Sequence, residues 1–332
     1  MNLRLLEIDT SNTQQDQVLA LLKAFPCLDV WQSSGSEQIS IRVTLPTTQV
    51  EAVLNQLREH LPELGNPRVM ILPIETMWPM PDLDAPCNQA TARLSREEIY
   101  ANVAQPLQLS WTQLGMVTLS TLIAAIGLLK SSEAIIIGAM VLAPLLQPIL
   151  GVAVAAVLGD SVLAKRSIKI GSISIGLALG LSILLGIVFP ISTDLPEIMA
   201  RVSVGPLDVG LAIAAGIASA LSLTTDNQNA IVGVMVAVAL LPPLVVLGLL
   251  LGSGEWTLAP GALLLVVTNV IGLNLAATTT LMAQNIQPQS QRWQAQHYTQ
   301  WVIGIGMVFV LGIMSMVTWQ HSSILGAFLQ RI

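Results

Sequence analysis

Seven stretches of this chain are apolar over about the 20 residues that a helix needs to cross a lipid bilayer. The whole chain of 332 residues is 53% hydrophobic and only 10% charged, whereas soluble domains carry about 25% charged residues. The sequence therefore predicts a polytopic α-helical membrane protein. The seven predicted spans lie near residues 112–129, 134–158, 169–190, 207–223, 230–252, 257–283 and 300–319.

Two of these stretches carry nearly the same apolar phrase. The phrase IIIGAMVLAPLLQPI begins at Ile135 and the phrase AIVGVMVAVALLPPL begins at Ala230, and they align without a gap at a constant offset of 95. Shared Ile, Leu and Val are common in such a composition, but shared Gly, Met and Pro at fixed spacing indicate an internal duplication. The identical positions are Ile136/Ile231, Gly138/Gly233, Met140/Met235, Val141/Val236, Leu145/Leu240, Leu146/Leu241 and Pro148/Pro243.

The duplicated unit is three spans long, because residues 112–190 map onto residues 207–283 at this offset. An odd number of spans makes the second copy enter the membrane from the opposite side. The sequence therefore predicts an inverted repeat, followed by an extra span at 300–319. Inverted repeats are typical of secondary transporters, in which broken helices from the two halves meet near the middle of the bilayer.

The distribution of basic residues predicts the orientation. Lys165, Arg166 and Lys169 lie between the second and third spans, and positively charged loops stay in the cytosol. The N-terminal domain is then cytosolic, the C-terminus lies outside, and the protein is integral to the cytoplasmic-type (inner) membrane. Lys130 and Arg201 fall outside and argue weakly against this orientation. The N-terminus lacks the basic and apolar regions of a signal peptide.

Residues 1–80 predict a small α+β domain. Strand patterns at residues 2–8, near 28–31, in SEQISIRVTLP and in PRVMILPIE alternate with two amphipathic helices. The order β-α-β-β-α-β is that of a ferredoxin-like unit. We expect Thr47 or Thr48 to open the second helix. Such a domain binds a metabolite or pairs with copies of itself, so we expect a homo-oligomer.

A linker and a short amphipathic helix occupy residues 81–110. Ser95 and Glu98 have the spacing of a capping box, and we expect Arg96, Glu97 and Glu98 to be a solvated helix start. The transmembrane domain then spans residues 111–320, and residues 321–332 form a C-terminal tail. Glu197 and Arg201 have the i, i+4 spacing of a local ion pair on a short surface helix.

Prolines lie near the middle of the second and fifth spans. A proline removes a backbone donor and clashes with the carbonyl four residues earlier, and freed carbonyls must face protein or a watered cavity. We expect the freed carbonyls to be those of Met140, Pro144, Val238 and Ala239. One interpretation is a pair of kinked helices that pack well; the other is a solute pathway. The candidate pathway residues are Gly138, Pro144, Gln147, Pro148, Gly233, Pro242 and Pro243.

Polar residues precede each broken span, in the segments KSSE and TTDNQN. We expect them to be polar openings at opposite faces of the membrane, although Asp226 or Asn227 fits a helix N-cap equally well. Two amides lie inside the sixth span, Asn269 and Asn274, and they either bond neighbouring helices or line a path. The candidate openings are Ser132, Glu133, Asp226, Asn227 and Asn229.

The sequence offers little support for an enzyme. His60, His297 and His321 are scattered, Cys27 and Cys87 stand apart, and neither metal-ligand spacing nor a nucleophile motif occurs. We therefore expect no enzyme activity, no cofactor and no metal. The net charge of −6 and the lack of a basic run argue against a nucleic-acid partner.

Five segments together resemble a known family: SREEIY, LIAAIGLL, IIGAMVLAPLLQPI, EIMAR and VGVMVAVALLPPL. They are similar to the bacterial and archaeal membrane proteins classed as domain of unknown function 389, the "uncharacterised hydrophobic domain" proteins. The resemblance runs from about Ser95 to Gln284. It implies a polytopic membrane protein with a small cytosolic domain, and it implies no substrate and no catalytic residues. Gln147 departs from the family, which more often has a small residue there, and this change would tune which solute passes.

Two functions fit these features. The first is a transporter or channel for a small solute or ion, with the cytosolic domain as a regulatory or oligomerisation element. The alternative is a membrane-anchored sensor or scaffold whose cytosolic domain binds a ligand or partner. A tight, dry membrane core would favour the alternative. The expected partners are the lipid bilayer, an unknown small solute or ion, and further copies of the chain.

Overall fold

The chain divides into two compact units, of which one comprises Met1–Ala101 with Thr224–Asp226 and the other Asn102–Leu223 with Asn227–Ile332. The predicted span at 300–319 and the first half of that at 230–252 lie outside the described residues, apart from residue 312. The computed structural model describes residues 3–11, 13–25, 29–34, 38–60, 68–74, 94–189, 195–225, 240–286 and 312.

The first unit has the order β-α-β-β-α-β that the sequence predicts. Within its described residues, four strands form one antiparallel sheet in the order β2-β3-β1-β4. The elements are β1 (Leu3–Ser11), α1 (Gln15–Leu22), β2 (Asp29–Ser34), β3 (Gln38–Pro46), α2 (Thr47–Glu59) and β4 (Arg68–Ile74).

Alternation along the strands buries one face of this sheet. Leu6 and Ile8 of β1 are wholly buried, and Val18 of α1 and Val50 of α2 belong to the same apolar core. Each large apolar side chain buried in this way contributes about 1.5–3 kcal/mol relative to an exposed one. Helix α2 begins at Thr47, one of the two residues expected to open it, and Pro46 occupies the N-cap.

A third helix, α3 (Arg96–Ala104), begins with the predicted capping box. The Ser95 hydroxyl donates to Glu98 Oε2 at 2.7 Å, and the Ser95 N–H donates to the same oxygen at 3.0 Å. The charged residues that follow are not a solvated helix start, because they pair with β1 and α2 of the first unit. The pairs are Arg4–Glu98 at 2.6 Å, Arg58–Glu97 at 2.9 Å and Arg96–Glu51 at 3.1 Å.

We predict that Glu98→Gln destabilises the first unit. Arg4 is only 2% exposed, so the substitution removes the carboxylate charge that offsets a buried guanidinium. Loss of one partner of a buried pair costs roughly 3–5 kcal/mol, and the cost here is at most that because glutamine still accepts a hydrogen bond. Hydrogen exchange of the β1 amides measures the loss. Glu59→Gln, at an exposed carboxylate of α2, is the control, and equal effects of the two substitutions would contradict the prediction.

The second unit is built from apolar helices. Within the described residues, four helices are long and apolar enough to cross a membrane: α4, α7, α9 and α11. Two shorter helices, α5 and α6, form a bent pair that is either one broken span or a re-entrant loop. The helices are α4 (Trp111–Leu129), α5 (Glu133–Leu142), α6 (Leu146–Leu158), α7 (Ser161–Val188), α8 (Pro196–Met199), α9 (Pro206–Thr224), α10 (Leu241–Ser253) and α11 (Ala259–Ala283).

The helix bounds of this unit recur at the offset found in the sequence. The bounds of α4 shifted by 95 residues are those of α9, and the bounds of α6 shifted by 95 are those of α10. The last residues of α7 and α11 are also 95 apart. Both α6 and α10 end at a left-handed glycine, Gly159 with φ 68° and Gly254 with φ 82°. The duplicated segments therefore share their local structure as well as their residues.

The contacts among four of these helices also stay the same when helices related by the offset of 95 are exchanged. Helix α6 packs against α7 and α11, and helix α10 also packs against α7 and α11. Exchanging α6 with α10 and α7 with α11 leaves this set of neighbours unchanged. The first ten residues of α10, Leu241–Leu250, are all buried, so this short helix lies in the middle of the unit.

Small residues let α7 and α10 approach closely. A Cβ placed on Gly252 would collide with the Ile183 carbonyl oxygen, and a Cβ on Gly248 would collide with the Ser182 side chain. Small residues four apart are the usual means by which membrane helices bring their backbones together. The spacing of Gly248 and Gly252 on α10 therefore sets its distance from α7.

We predict that Gly252→Ala destabilises the second unit by about 1–3 kcal/mol, the usual cost of overpacking. The matched control is Gly180→Ala on α7, because a Cβ there meets no atom within 4 Å. The control leaves stability unchanged or raises it, since alanine favours helix more than glycine does. Thermal unfolding of the purified protein compares them, and a destabilised control or an unaffected Gly252 variant would refute the packing argument.

The predicted basic loop between the second and third spans is part of a helix. Helix α7 begins at Ser161, eight residues before the predicted span, because Asp160 caps it by accepting from two backbone N–H groups at 2.8 and 3.0 Å. Lys165, Arg166 and Lys169 are therefore exposed on the first turns of α7. Their positive charge therefore lies at the N-terminal end of α7.

Candidate functional site

The helical chain breaks at the first of the two proline-containing phrases. Helix α5 ends at Leu142 and α6 begins at Leu146, and the two axes differ by 49°. Pro144 lies in the three-residue break. The break therefore coincides with the proline that the sequence places near the middle of the second span.

The other prolines begin helices rather than kink them. Pro148 is the third residue of α6, and Pro242 and Pro243 are the second and third residues of α10. The first N–H groups of any helix have no partner within it, so proline is tolerated there. Two of the carbonyls expected to lose their donor, those of Met140 and Pro144, lie before α6: Met140 is in the last turn of α5 and Pro144 is in the break. The prolines instead remove N–H groups that would be unpaired.

The first turns of α6 and α10 open on one apolar crevice. The N-cap residues of the two helices, Leu145 and Leu240, both line it. Three pairs of lining residues are 95 apart in sequence, so equivalent residues of the duplicated segments face the same space. The lining residues are Leu145 and Leu240, Ile149 and Leu244, Ile175 and Val270, and Gly171.

The crevice is apolar and tightly enclosed. Leu145, Ile149, Leu240 and Leu244 are all buried. A Cβ on Gly171 would lie 3.2 Å from the Pro148 Cβ, so this glycine lets α7 pack directly on the first turn of α6. The described residues that line this space offer water too few polar partners to hold it, so the part of the crevice that they enclose is dry.

One polar side chain reaches the first turn of α6. Asn274 of α11 donates through Nδ2 to the Ile149 carbonyl oxygen at 3.1 Å. Asn274 thus bonds a neighbouring helix, one of the two interpretations that the sequence left open. Asn269 lies five residues earlier on α11 and is buried, with 7% of its surface exposed.

The remaining candidate residues occupy different places. Gln147 is half-buried in the first turn of α6. Gly138 is exposed on α5, with no atom near its Cβ position, and it does not line the crevice. Ser132 is the N-cap of α5 and Glu133 is exposed in its first turn. The predicted residues outside the described part of the chain are Asp226, Asn227, Asn229, Gly233, Val238 and Ala239.

The predicted pair of Glu197 and Arg201 is confirmed. Arg201 Nη1 lies 2.6 Å from Glu197 Oε2, and both side chains are partly buried. Helix α8 and the turn after it hold the two residues one helical turn apart. Among the described residues, no three His, Cys, Asp or Glu side chains gather where they could hold a metal ion.

Sequence analysis missed Gly171, Ile175 and Val270 as members of the crevice. The offset of 95 could have identified Ile175 and Val270, because these residues are 95 apart although they lie beyond the repeated phrase. Gly171 has no such signal, since the equivalent residue is Val266. Only the packing of Gly171 against Pro148 identifies it.

The open face of the first unit's sheet carries a polar pair between apolar side chains. The register places Trp31, Arg42, Glu7 and Met70 side by side across the four strands. Arg42 Nη2 lies 2.7 Å from Glu7 Oε1, and Ser40 donates to the same oxygen at 2.9 Å. Hydrogen bonds from Arg42, and secondly from Ser40, lower the pKa of Glu7. Trp31 and Met70 are exposed, so this face can receive a partner.

We predict that Arg42→Gln raises the pKa of the Glu7 carboxyl. Because the folded-state pKa is below the ordinary value, the pair stabilises the native chain above that ordinary value. This stabilisation disappears as the pH falls through the folded-state pKa of Glu7. The Arg42→Gln variant has a smaller pH-dependent stabilisation, because the pair is absent. Carboxyl ¹³C titration by NMR follows Glu7 directly. Arg68→Gln, which changes an exposed arginine of β4, should leave that titration where it is; a Glu7 pKa insensitive to Arg42→Gln would disprove the assignment.

Comparison with known proteins places the crevice in a defined family segment. The family model described as domain of unknown function (DUF389) matches residues 140–275, which contain every lining residue of the crevice. The chain is 31% identical over 284 residues to the uncharacterized protein MJ0678 of Methanocaldococcus jannaschii, covering 84% of this chain and 88% of that relative. No solved structure matches the chain.

Proposed function

We propose that this chain, which belongs to the family described as domain of unknown function 389, is a transporter or channel for a small solute or ion. The observation that carries the proposal is the shared crevice of α6 and α10. Two half-helices from duplicated segments begin there, at equivalent residues. Half-helices of this kind surround the solute site in transporters built from repeats.

The proposed architecture has seven spans in an inverted repeat. The four long helices and the bent pair account for five spans. The two further spans are those that the sequence predicts at 230–252, which overlaps α10, and at 300–319. Two observations support the repeat: the recurrence of helix bounds at an offset of 95, and a set of helix neighbours that exchange leaves unchanged. Three spans per repeat make it inverted.

The proposed orientation places the N-terminal domain in the cytosol and the C-terminus outside the cytoplasmic membrane. It is supported by Lys165, Arg166 and Lys169, which are exposed on the first turns of α7. Basic residues at the end of a span favour the cytosolic side. The N-terminal domain then acts on the inner side of the membrane as a regulatory or oligomerisation element of a homo-oligomer.

Gln147 is the proposed polar contact for the solute. It follows the break and is half-buried, and the other first-turn residues of α6 near it are apolar. The solute would approach from the break and reach the crevice between α6 and α10. The described residues leave its charge open, because prolines remove some, but not all, of the first-turn N–H groups that favour an anion at a helix start.

Flux through purified protein in liposomes tests the proposal. The panel contains potassium, sodium, chloride, phosphate and glycerol. We predict that the wild type moves at least one of them and that Gln147→Leu changes its rate by about tenfold or more, an effect of about 1.4 kcal/mol on the barrier. Gln108→Leu, at an exposed glutamine before α4, is the matched control. A folded wild type that moves no panel member, in either direction of gradient, counts against transport.

The alternative function is a membrane-anchored sensor or scaffold. Two observations favour it: the dry, enclosed crevice and the exposed Trp31 and Met70 beside the Glu7–Arg42 pair. In this case the second unit only holds the first at the membrane. A partner that binds the wild type and not a Trp31→Ala variant, together with a wild type that shows no flux, would support the sensor.

A further inference from the structure

We infer that Leu145, Ile149, Leu240 and Leu244 form an apolar gate that closes the proposed pathway, an inference that rests on the proposed transport function. These residues supply two side chains from each half-helix. They are equivalent in pairs, since 145 and 240, and 149 and 244, are each 95 apart. The gate therefore lies on the axis that relates the two repeats.

The composition of the gate suits a barrier rather than a binding site. All four side chains are aliphatic and buried. Pro148, Pro242 and Pro243 remove N–H groups from the first turns behind them, which leaves fewer backbone donors to bind a polar solute. An ion that enters such a space loses its water and receives no replacement, and channels close by dewetting in this way.

The two halves of the gate are held differently. Asn274 donates to the carbonyl oxygen of Ile149 and ties the α6 half to α11. The equivalent of Asn274 is Leu179, which has no donor in its side chain. Gly171 lets α7 pack on Pro148, whereas its equivalent, Val266, carries a branched side chain. The α6 half therefore has a side-chain hydrogen bond to α11 that Leu179 cannot supply to the α10 half.

Polar substitution within the gate tests the inference. Leu145→Asn/Leu240→Asn protein, reconstituted in liposomes, is assayed for potassium, chloride and glycerol leak beside the wild type. Hydration of the gate raises the leak of at least one probe tenfold or more, and each single substitution raises it less. The matched control is Leu184→Asn, which makes the same change on α7 at a side chain that is 57% exposed, and it leaves the leak unchanged.

A cross-link provides a readout that does not depend on the polar variant folding. In protein with Cys27→Ser and Cys87→Ser, cysteines replace Leu145 and Leu240 and are joined by a flexible bis-maleimide. A joined pair holds the gate shut and lowers flux of the wild-type solute tenfold or more. A joined pair that leaves the flux unchanged overturns the gate.

The outcomes separate the gate from transport itself. Flux of a panel solute through the wild type, together with a faster leak through the double variant, supports both. A wild type that moves a panel solute, with a folded double variant that moves it no faster, removes the gate and leaves transport standing. Absence of flux in the wild type and in every folded variant removes both proposals.

Discussion

Every backbone N–H in an apolar interior needs a partner, and this requirement shapes the centre of the molecule. A helix that begins inside such an interior exposes N–H groups that nothing pairs. In α10 the second and third residues are prolines, and in α6 the third residue is a proline. These residues have no N–H to leave unpaired. Two helices therefore start deep in the second unit, and their N-cap leucines face one dry crevice.

Close packing around these two starts depends on small residues. Gly171 admits Pro148, while Gly248 and Gly252 bring α10 against α7. Asn274 adds a polar tie to the first turn of α6. Both repeated segments therefore pack closely around a helix start, although the glycine contacts and the hydrogen bond involved differ between them. Equivalent apolar residues of the two segments therefore line one crevice.

Local sequence patterns predicted much of this structure, but they did not predict contacts between residues that are far apart in the sequence. Strand alternation and the capping box of Ser95 depend on neighbours in the chain, so the β-α-β-β-α-β order and the start of α3 were predicted correctly. The offset of 95 also predicted where helices recur. The partner of Glu98 is Arg4, 94 residues away, and no local pattern reveals it. The break at Pro144 was predicted, whereas the sequence did not show that Pro148, Pro242 and Pro243 lie in the first turns of helices, because a helix start and a kink share the same residue signal. Gly171 could not be predicted, since its role depends on a contact with Pro148 from another helix.

The central claim is that the two duplicated segments are inverted in the membrane, and the sidedness of equivalent positions tests it most directly. Lys130 and Thr225 are 95 apart and both exposed. Cysteines at these positions, in protein lacking Cys27 and Cys87, are treated with an impermeant maleimide in intact cells. The account predicts that Lys130→Cys reacts at once and that Thr225→Cys reacts only after the membrane is permeabilised. Reaction of both cysteines from the same side would contradict an inverted repeat, and with it the crevice as a meeting point of opposed halves.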